Sequence, residues 1–409
     1  MKLYKRENYL RKIRGFYDSD DIIKVITGVR RCGKSSLMEM IAAEILEKGV
    51  PGENIIYIDL DKRGFKRIKT ADALEQCIDE MPTSRGLKYL FIDEIQNVSG
   101  FEEVINGYRT EGGWSIFITG SNSYLLSGEL VTKLTGRYLE FEMFPLSFSE
   151  YEEMKLFLGK TPDTNPQAEL TNYILESGFP RTLYFDDPSD KRRYVQGVIK
   201  EIFEKDIRKR VKIRKKETFE LVRRYILGNF GATTSIKSIC EALQNNGLNI
   251  SRETVLRYIK TLEDAKILYP CERFDMKSKR SLSGKKKYYL ADPGFYYAEN
   301  ADHRVNYGPT LENILYLYAC SQDCSVSVGR IGKLECDFII RNRDLNYSYV
   351  QVAYTIALSK ETEDREYRPL EKIHDNYPKY VMTTDYLLQK RNGILHVNLI
   401  DFMLEGKQF

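Results

Sequence analysis

Apolar residues in the first 145 positions come in short runs, each cut off by glycine, proline or a polar residue. The runs at 22–26 (IIKVI), 54–60 (NIIYIDL), 88–93 (KYLFID), 114–120 (WSIFITG) and 138–144 (YLEFEMF) have the length of strands. Their nearly continuous apolar character is that of strands covered on both faces, as in a parallel sheet. After the first run the period changes: SSLMEMIAAEILEK sets Leu37, Ile41, Ile45 and Leu46 at helical spacing and predicts a helix over 35–48. Strand alternating with helix predicts the α/β class. Residues 1–21 predict an amphipathic helix carrying Tyr4, Tyr9, Leu10 and Ile13, which either packs on the core or offers an apolar wall to an adenine ring.

Further along, helical spacing dominates. TNYILESGFPRTLYF from Thr171 predicts a helix stopped at Gly178, Phe179, Pro180 and Arg181. The segment 191–216 is the most basic of the chain, with Tyr194, Val198, Ile202 and Phe203 beneath the charges; it is either a solvated helix face or a footprint for phosphate backbones. Residues 218–290 read helix, helix, helix, hairpin, with Ile236, Ile239, Cys240 and Leu243 on one face, Ser251 as a cap, and Val255, Ile259, Leu262 and Leu268 inward. This order predicts a winged helix-turn-helix. Its wing carries Lys277, Lys279, Arg280, Lys285, Lys286 and Lys287, suited to phosphate contacts, whereas Arg252, Arg257 and Lys260 on the third helix are offset by Glu253, Glu263 and Asp264. DNA contact and a purely lid-like or protein-binding role both remain open for it.

The chemistry starts where the first run breaks. IIKVITGVRRCGKSSL at 22–37 fits GxxxxGK[ST] without a mismatch. In such a loop Gly28, Val29, Arg30, Arg31, Cys32 and Gly33 turn backbone N–H groups toward phosphates and Lys34 reaches the β- and γ-phosphates. Ser35 ligates Mg²⁺, and Ser35 and Ser36 open a helix whose dipole adds positive potential. The run 88–93 ends in Asp93-Glu94: Asp93 is expected to hold Mg²⁺ through water, and Glu94 to orient and deprotonate the attacking water. The run 114–120 ends in polar residues, of which Ser121 or Asn122 either senses the γ-phosphate or caps a helix. A strand inserted between the phosphate-loop strand and the Asp-Glu strand, assigned to 54–60, points to the P-loop branch with strand order 5-1-4-3-2.

GVRRCGKSSL, YLFIDEIQ, FITGSNSYLLSGELVTKLTGRY and FPLSFSEY, in this order, resemble the bacterial and archaeal AAA+ ATPases whose carboxyl half is a domain of unknown function. The resemblance covers nearly the whole chain. It implies an ATPase core of the ASCE/AAA+ kind related to the STAND branch, a helical lid, a winged helix and a nuclease-like tail. The arginine of its TGR block matches Arg137, which either reaches a phosphate in cis or in trans, or stacks or pairs at a helix end. The GxP pattern at Gly178 and Pro180 resembles the lid motif in which the proline lies against adenine; a structural helix stop explains the same letters.

The tail resembles the restriction-endonuclease-like PD-(D/E)xK fold. Glu312 on a helix, Asp337 in the strand KLECDFII and Gln351 in YSYVQVAYTI take the positions of metal-binding residues. A neutral amide stands where the third acid belongs, and Ala353 where the lysine belongs, so the domain is expected not to cut phosphodiesters; Lys360 is the one candidate substitute.

The 409 residues suffice for several domains, assigned as 1–160 (ATPase core), 161–216 (lid and basic helix), 217–298 (winged helix) and 299–409 (nuclease-like tail). With 63 basic against 59 acidic side chains, net charge alone implies no anionic partner. Seven scattered cysteines and three histidines favour reduced thiols over a metal site, including at Cys320 and Cys324. No run spans a bilayer and none resembles a leader, so a cytoplasmic location is expected. The reading is an ATP- and Mg²⁺-dependent switch acting on a nucleic-acid or protein partner, as a monomer or homo-oligomer. Its rivals are an ATP-regulated nuclease and a nucleotide-bound scaffold that does not hydrolyse.

Overall fold

A computed structural model describes residues 3–121, 134, 136–208, 213, 216–245, 247–248, 250–300 and 304–409. The chain divides into two compact units, one of residues 1–143 with 264–266, the other of residues 144–263 with 267–409.

The first unit is built on β1 (Ile23–Gly28), β2 (Ile55–Asp59), β3 (Lys88–Asp93), β4 (Trp114–Thr119) and β5 (Tyr138–Met143). They form a sheet of order β2-β3-β4-β1-β5 in which every neighbouring pair is parallel. This is the expected order 5-1-4-3-2, with one correction. The strand lying between β1 and β3 is β4, whereas the 54–60 run forms β2 at the sheet edge, because crossover connections rather than chain order decide neighbours. Every position of β1 and β4 is buried, as their unbroken apolar runs require. Helix Lys34–Glu47 buries Leu37, Met38, Met40, Ile41 and Ile45, while Leu46, expected inward, is 53% exposed. Helices Ala71–Asp79 and Phe101–Glu111 bury Leu74, Ile78, Val104, Ile105 and Tyr108 in one cluster with the strand residues Ile56, Leu90 and Ile116. Rings stack through the centre of the sheet, Tyr57 on Phe91 at 5.8 Å and Phe91 on Phe117 at 4.6 Å between centroids.

The amino-terminal segment packs. Helix Glu7–Ile13 buries Tyr9, Leu10 and Ile13; Arg6 donates to the Cys32 carbonyl at 3.1 Å, and Arg14 and Tyr17 both donate to Glu44. Lys24, inside the first apolar run, is fully buried, its Nζ donating to the carbonyls of Ser19 (2.6 Å) and Ile22 (3.0 Å) and to Ser115 Oγ (2.8 Å).

The second unit opens with helices Phe148–Phe157, Pro166–Glu176 and Pro188–Ile202. In FPLSFSEY, Ser147 and Glu150 form a reciprocal capping box, so that block is the start of a helix. Helices Lys216–Gly228, Ile236–Asn245 and Arg252–Asp264 follow. Their strands are β6 (Thr233–Ser235), β7 (Leu268–Asp275) and β8 (Arg280–Leu290), then β9 (Ser325–Ile331), β10 (Leu334–Arg341), β11 (Tyr347–Val352), β12 (Lys379–Thr383), β13 (Lys390–Arg391) and β14 (Ile394–Asn398). All nine belong to one sheet of order β13-β14-β12-β11-β10-β9-β7-β8-β6. The β7–β8 hairpin is joined to the later strands by parallel pairing of β7 with β9, Arg273 opposite Val328.

Candidate nucleotide site

The phosphate-loop motif begins at the carboxyl end of β1. Gly28 has φ +140°, and a Cβ there would lie 2.2 Å from the Met143 carbonyl oxygen on β5 and 3.0 Å from Cys32 Sγ. Only glycine fits. Arg31 (φ 70°) and Gly33 (φ 111°) turn the chain again, and Lys34 then starts the helix. The Lys34 ammonium is buried and donates to the carbonyls of Gly28 at 3.0 Å and Val29 at 3.3 Å, so its charge is held at the mouth of the loop. No acidic residue sits in the first turn of Lys34–Glu47, which leaves the positive end of the dipole at Ser35 and Ser36 uncompensated. Val29 and Cys32 are fully buried, and burial pushes the Cys32 thiol up, away from thiolate.

The expected acids stand at the tip of β3. Asp93 is buried and accepts from the Thr119 hydroxyl of β4, while Thr119 Oγ1 also accepts from the Glu94 backbone N–H at 3.0 Å. Thr119 was not among the residues expected from sequence; its signal was a hydroxyl at the last position of the strand beside the Asp-Glu strand. Glu94 adopts φ 57°. Its carboxylate accepts from Gln96 and lies 3.8 Å from Arg30 of the phosphate loop. Arg30 donates to Ser121 Oγ at 3.3 Å and Gln96 to the same oxygen at 3.5 Å. Gln96 Oε1 is buried with no hydrogen-bond partner among the described residues. Arg30, Glu94, Gln96 and Ser121 therefore form one polar cluster, beside the buried pair of Asp93 and Thr119.

Asn122 lies outside the described residues. Arg137 precedes β5, where Tyr138 is opposite Ile23, the first residue of β1, whereas the phosphate loop leaves from the other end, at Gly28 opposite Met143. At about 3.3 Å per residue that separation is roughly 17 Å, longer than an arginine side chain. Arg137 Nη1 donates to Asn106 at 3.4 Å. Pro180 belongs to the second unit and opens the short turn Pro180–Tyr184. There the Gly178 N–H donates to the buried Asp292 carboxylate at 2.7 Å, and a Cβ on Gly178 would lie 2.7 Å from the Leu146 carbonyl, so a packing demand explains that glycine. Burial pushes the Asp292 carboxyl up to about 6.

Glu312 (helix Tyr307–Ser321) and Asp337 (β10) do converge, but around a lysine, with Gln351 (β11) bonded to the Asp337 backbone. Lys287 Nζ lies 2.9 Å from Glu312, 3.1 Å from Glu335 and 3.7 Å from Asp337. This corrects the expectation that Lys287 serves an exposed wing. Lys277, Lys279, Arg280 and Lys285 are exposed, Lys286 is half-buried, and Lys287 is buried, so burial deepens as β8 runs away from the hairpin tip. Gln351 Oε1 accepts from the Asp337 N–H and its Nε2 donates to Glu366. Lys360 pairs with Glu363 at 2.7 Å instead. Among the described residues no group of three or more histidine, cysteine, aspartate or glutamate side chains is disposed to hold a metal ion, and no helix is long and apolar enough to cross a membrane.

Residues 20–152, the stretch that carries β1 to β5 and the cluster above, match a family described as an AAA domain, and residues 167–302 match a domain of unknown function. Over 98% of its length the chain is 33% identical to an uncharacterized protein of Haemophilus influenzae, of which it covers 99%. The chain belongs to this family of AAA-domain proteins. A protein of Methanocaldococcus jannaschii, also uncharacterized, is 30% identical over 86% of the chain and 78% of its own length. Among solved structures, a Walker-type ATPase of Pyrococcus abyssi superposes with TM-score 0.50 over 72% of this chain and 95% of its own, at 16% identity, a likeness of fold. The AAA domain thus has the P-loop core that its strand order and loop geometry describe.

Proposed function

We propose that the AAA domain binds ATP with Mg²⁺ and hydrolyses it, and that the nucleotide state is passed to a nucleic-acid or protein partner. One observation carries the reading most: Arg30 of the phosphate loop and the Glu94 carboxylate lie 3.8 Å apart, so loop and acid share one small polar space. The residues fit the group, since the loop carbonyls hold the Lys34 ammonium at its mouth and Gln96 Oε1 is a buried acceptor with no hydrogen-bond partner among the described residues. When bound, Mg²⁺ supplies charge neutralisation at the β- and γ-phosphates. Ser35 would ligate it and Asp93 would hold it through water, the carboxylate being aimed by Thr119. Lys34 balances ground-state phosphate charge; Glu94 orients and deprotonates the attacking water; Ser121 reports the γ-phosphate. Arg137, remote from Gly28 along its own sheet, is assigned contact with a neighbouring subunit's nucleotide.

For a partner, the exposed Lys277, Lys279, Arg280 and Lys285 on the β7–β8 hairpin suit the phosphates of DNA, the hairpin following three helices in the element order expected of a winged helix-turn-helix. The test is a pair of substitutions. Lys34→Ala should lose ATP binding, and Glu94→Gln should bind ATP as the wild type does while turnover falls about 100-fold or more. Wild-type turnover in Glu94→Gln would remove the catalytic assignment, and tight binding without phosphate release by the wild type would favour a non-hydrolysing scaffold.

A further inference from the structure

Three carboxylates of the second unit meet at one nitrogen, Glu312 coming from helix Tyr307–Ser321 and Glu335 and Asp337 from β10. Lys287 lies on β8, an interior strand with Thr233 of β6 on one side and Cys271 of β7 on the other, and its side chain is 6% exposed. Two residues on, Tyr289 points to the same face and donates to Glu312 Oε2 at 3.0 Å, the oxygen that also takes Lys287 at 2.9 Å. The helix bearing Glu312 is fixed to β8 by the next residue: the Asn313 amide accepts from the Leu290 N–H at 2.7 Å and donates to the Leu290 carbonyl at 2.9 Å. Arg273 of β7 holds the other face of Glu335 at 3.0 Å.

Two-acid metal sites of the kind the tail resembles need oxygens free to converge on the ion at about 2.1 Å for Mg²⁺. Here none of the expected donors is free. The Lys287 separations from Glu312 and Glu335, 2.9 and 3.1 Å, are lengths of charged N–H···O bonds rather than of metal coordination. Asp337 Oδ2 takes the Val352 N–H at 2.9 Å while Oδ1 faces Lys287. Gln351 spends its carbonyl oxygen on the Asp337 backbone and its amide on Glu366. Two cations, Lys287 and Arg273, already sit against the three acids.

We propose that the Lys287 ammonium is the permanent cation of this acid cluster and takes the place a divalent ion holds in two-acid metal sites, so that the cluster binds neither Mg²⁺ nor Mn²⁺. The lysine supplied by β8 is covalently tethered where a divalent ion would be held only by its carboxylate ligands. The acids then serve to fasten the hairpin to the helix and to β10, and no metal-bound water is available there for phosphodiester cleavage.

The test titrates Mn²⁺ into the full-length protein without nucleotide and follows the free-ion electron paramagnetic resonance signal. Wild type should leave that signal undiminished, Lys287→Met should acquire a saturable site, and adding Glu312→Gln to Lys287→Met should weaken that site about ten-fold or more, a coupling expected of direct ligands. A folded Lys287→Met protein that takes up no Mn²⁺ overturns the proposal. If Lys287→Met does not fold, wild type and Asp337→Asn decide: uptake by wild type that disappears in Asp337→Asn refutes a resident lysine, and an undiminished signal with both supports it.

Discussion

Arg30 Nη2 stands 3.8 Å from Glu94 Oε2, with both side chains almost wholly shielded from water. A charge pair in such a place is strong enough to fix where a carboxylate points, so Arg30 is expected to act on hydrolysis through Glu94. Arg30→Met should lower ATP turnover several-fold, and in the Glu94→Gln background it should lower it no further. Additive losses would mean that Arg30 acts on the phosphates independently.

Arg137 immediately precedes β5, at the sheet end remote from Gly28, and the proposed role for it is action across subunits. Turnover per subunit should rise with protein concentration, and mixing Arg137→Ala with Lys34→Ala subunits should restore part of the activity lost by each. A protein that sediments as a monomer at all concentrations with constant turnover would contradict this.

The hairpin lysines divide into two kinds. Replacing the exposed Lys277, Lys279 and Arg280 by Gln should weaken retention of every duplex alike and reduce the slope of log affinity against log salt by about 2 to 3, roughly 0.9 per lost phosphate contact. If the protein retains no duplex even at low salt, the hairpin makes protein contacts instead.

Gly28 and Gly107 should respond to alanine in opposite directions. A Cβ at Gly28 meets the Met143 carbonyl at 2.2 Å, so Gly28→Ala should cost about 2–4 kcal/mol from overlap and backbone strain. Gly107, inside helix Phe101–Glu111, has open space around a Cβ, and Gly107→Ala should add about 0.5–1 kcal/mol. Thermal melts of the two variants check both signs.

Burial pushes the Lys24 ammonium down to about 7, against the pull of Asp21, Asp20 and Asp18. An unfolded lysine keeps its proton to about 10.5, so between these values the unfolded chain binds more protons, and stability should rise with pH across that window. Urea midpoints of the wild type, taken relative to Lys24→Met at each pH, should climb from pH 7 toward 10.5. A flat difference would mean that the oxygens of Ser19, Ile22 and Ser115 keep the lysine fully charged.

What could be read from sequence was what neighbouring residues decide. GVRRCGKS and the Asp93-Glu94 strand end are local patterns, and each produced the expected turn or tip. The failures needed partners far along the chain. Residues 54–60 went to the edge and Trp114–Thr119 to the middle because crossovers, not run length, set the neighbours. Lys287 lay in a run of three lysines that looked uniformly solvated, and its acids are 25 to 50 positions away. Lys24 broke an apolar run without changing its period, so nothing announced that its ammonium is satisfied by two carbonyls and a serine.

The pairing of β7 with β9 has a practical meaning for anyone dividing this chain. Ending it at residue 298, the boundary that the order of elements suggests, would remove β9 and strip the partner from Arg273, Phe274 and Asp275. Their bare N–H and C=O groups would form an unguarded edge, open to the same edge of another copy. Such a fragment should self-associate, and its tendency to aggregate would reflect the cut and not the behaviour of the intact protein.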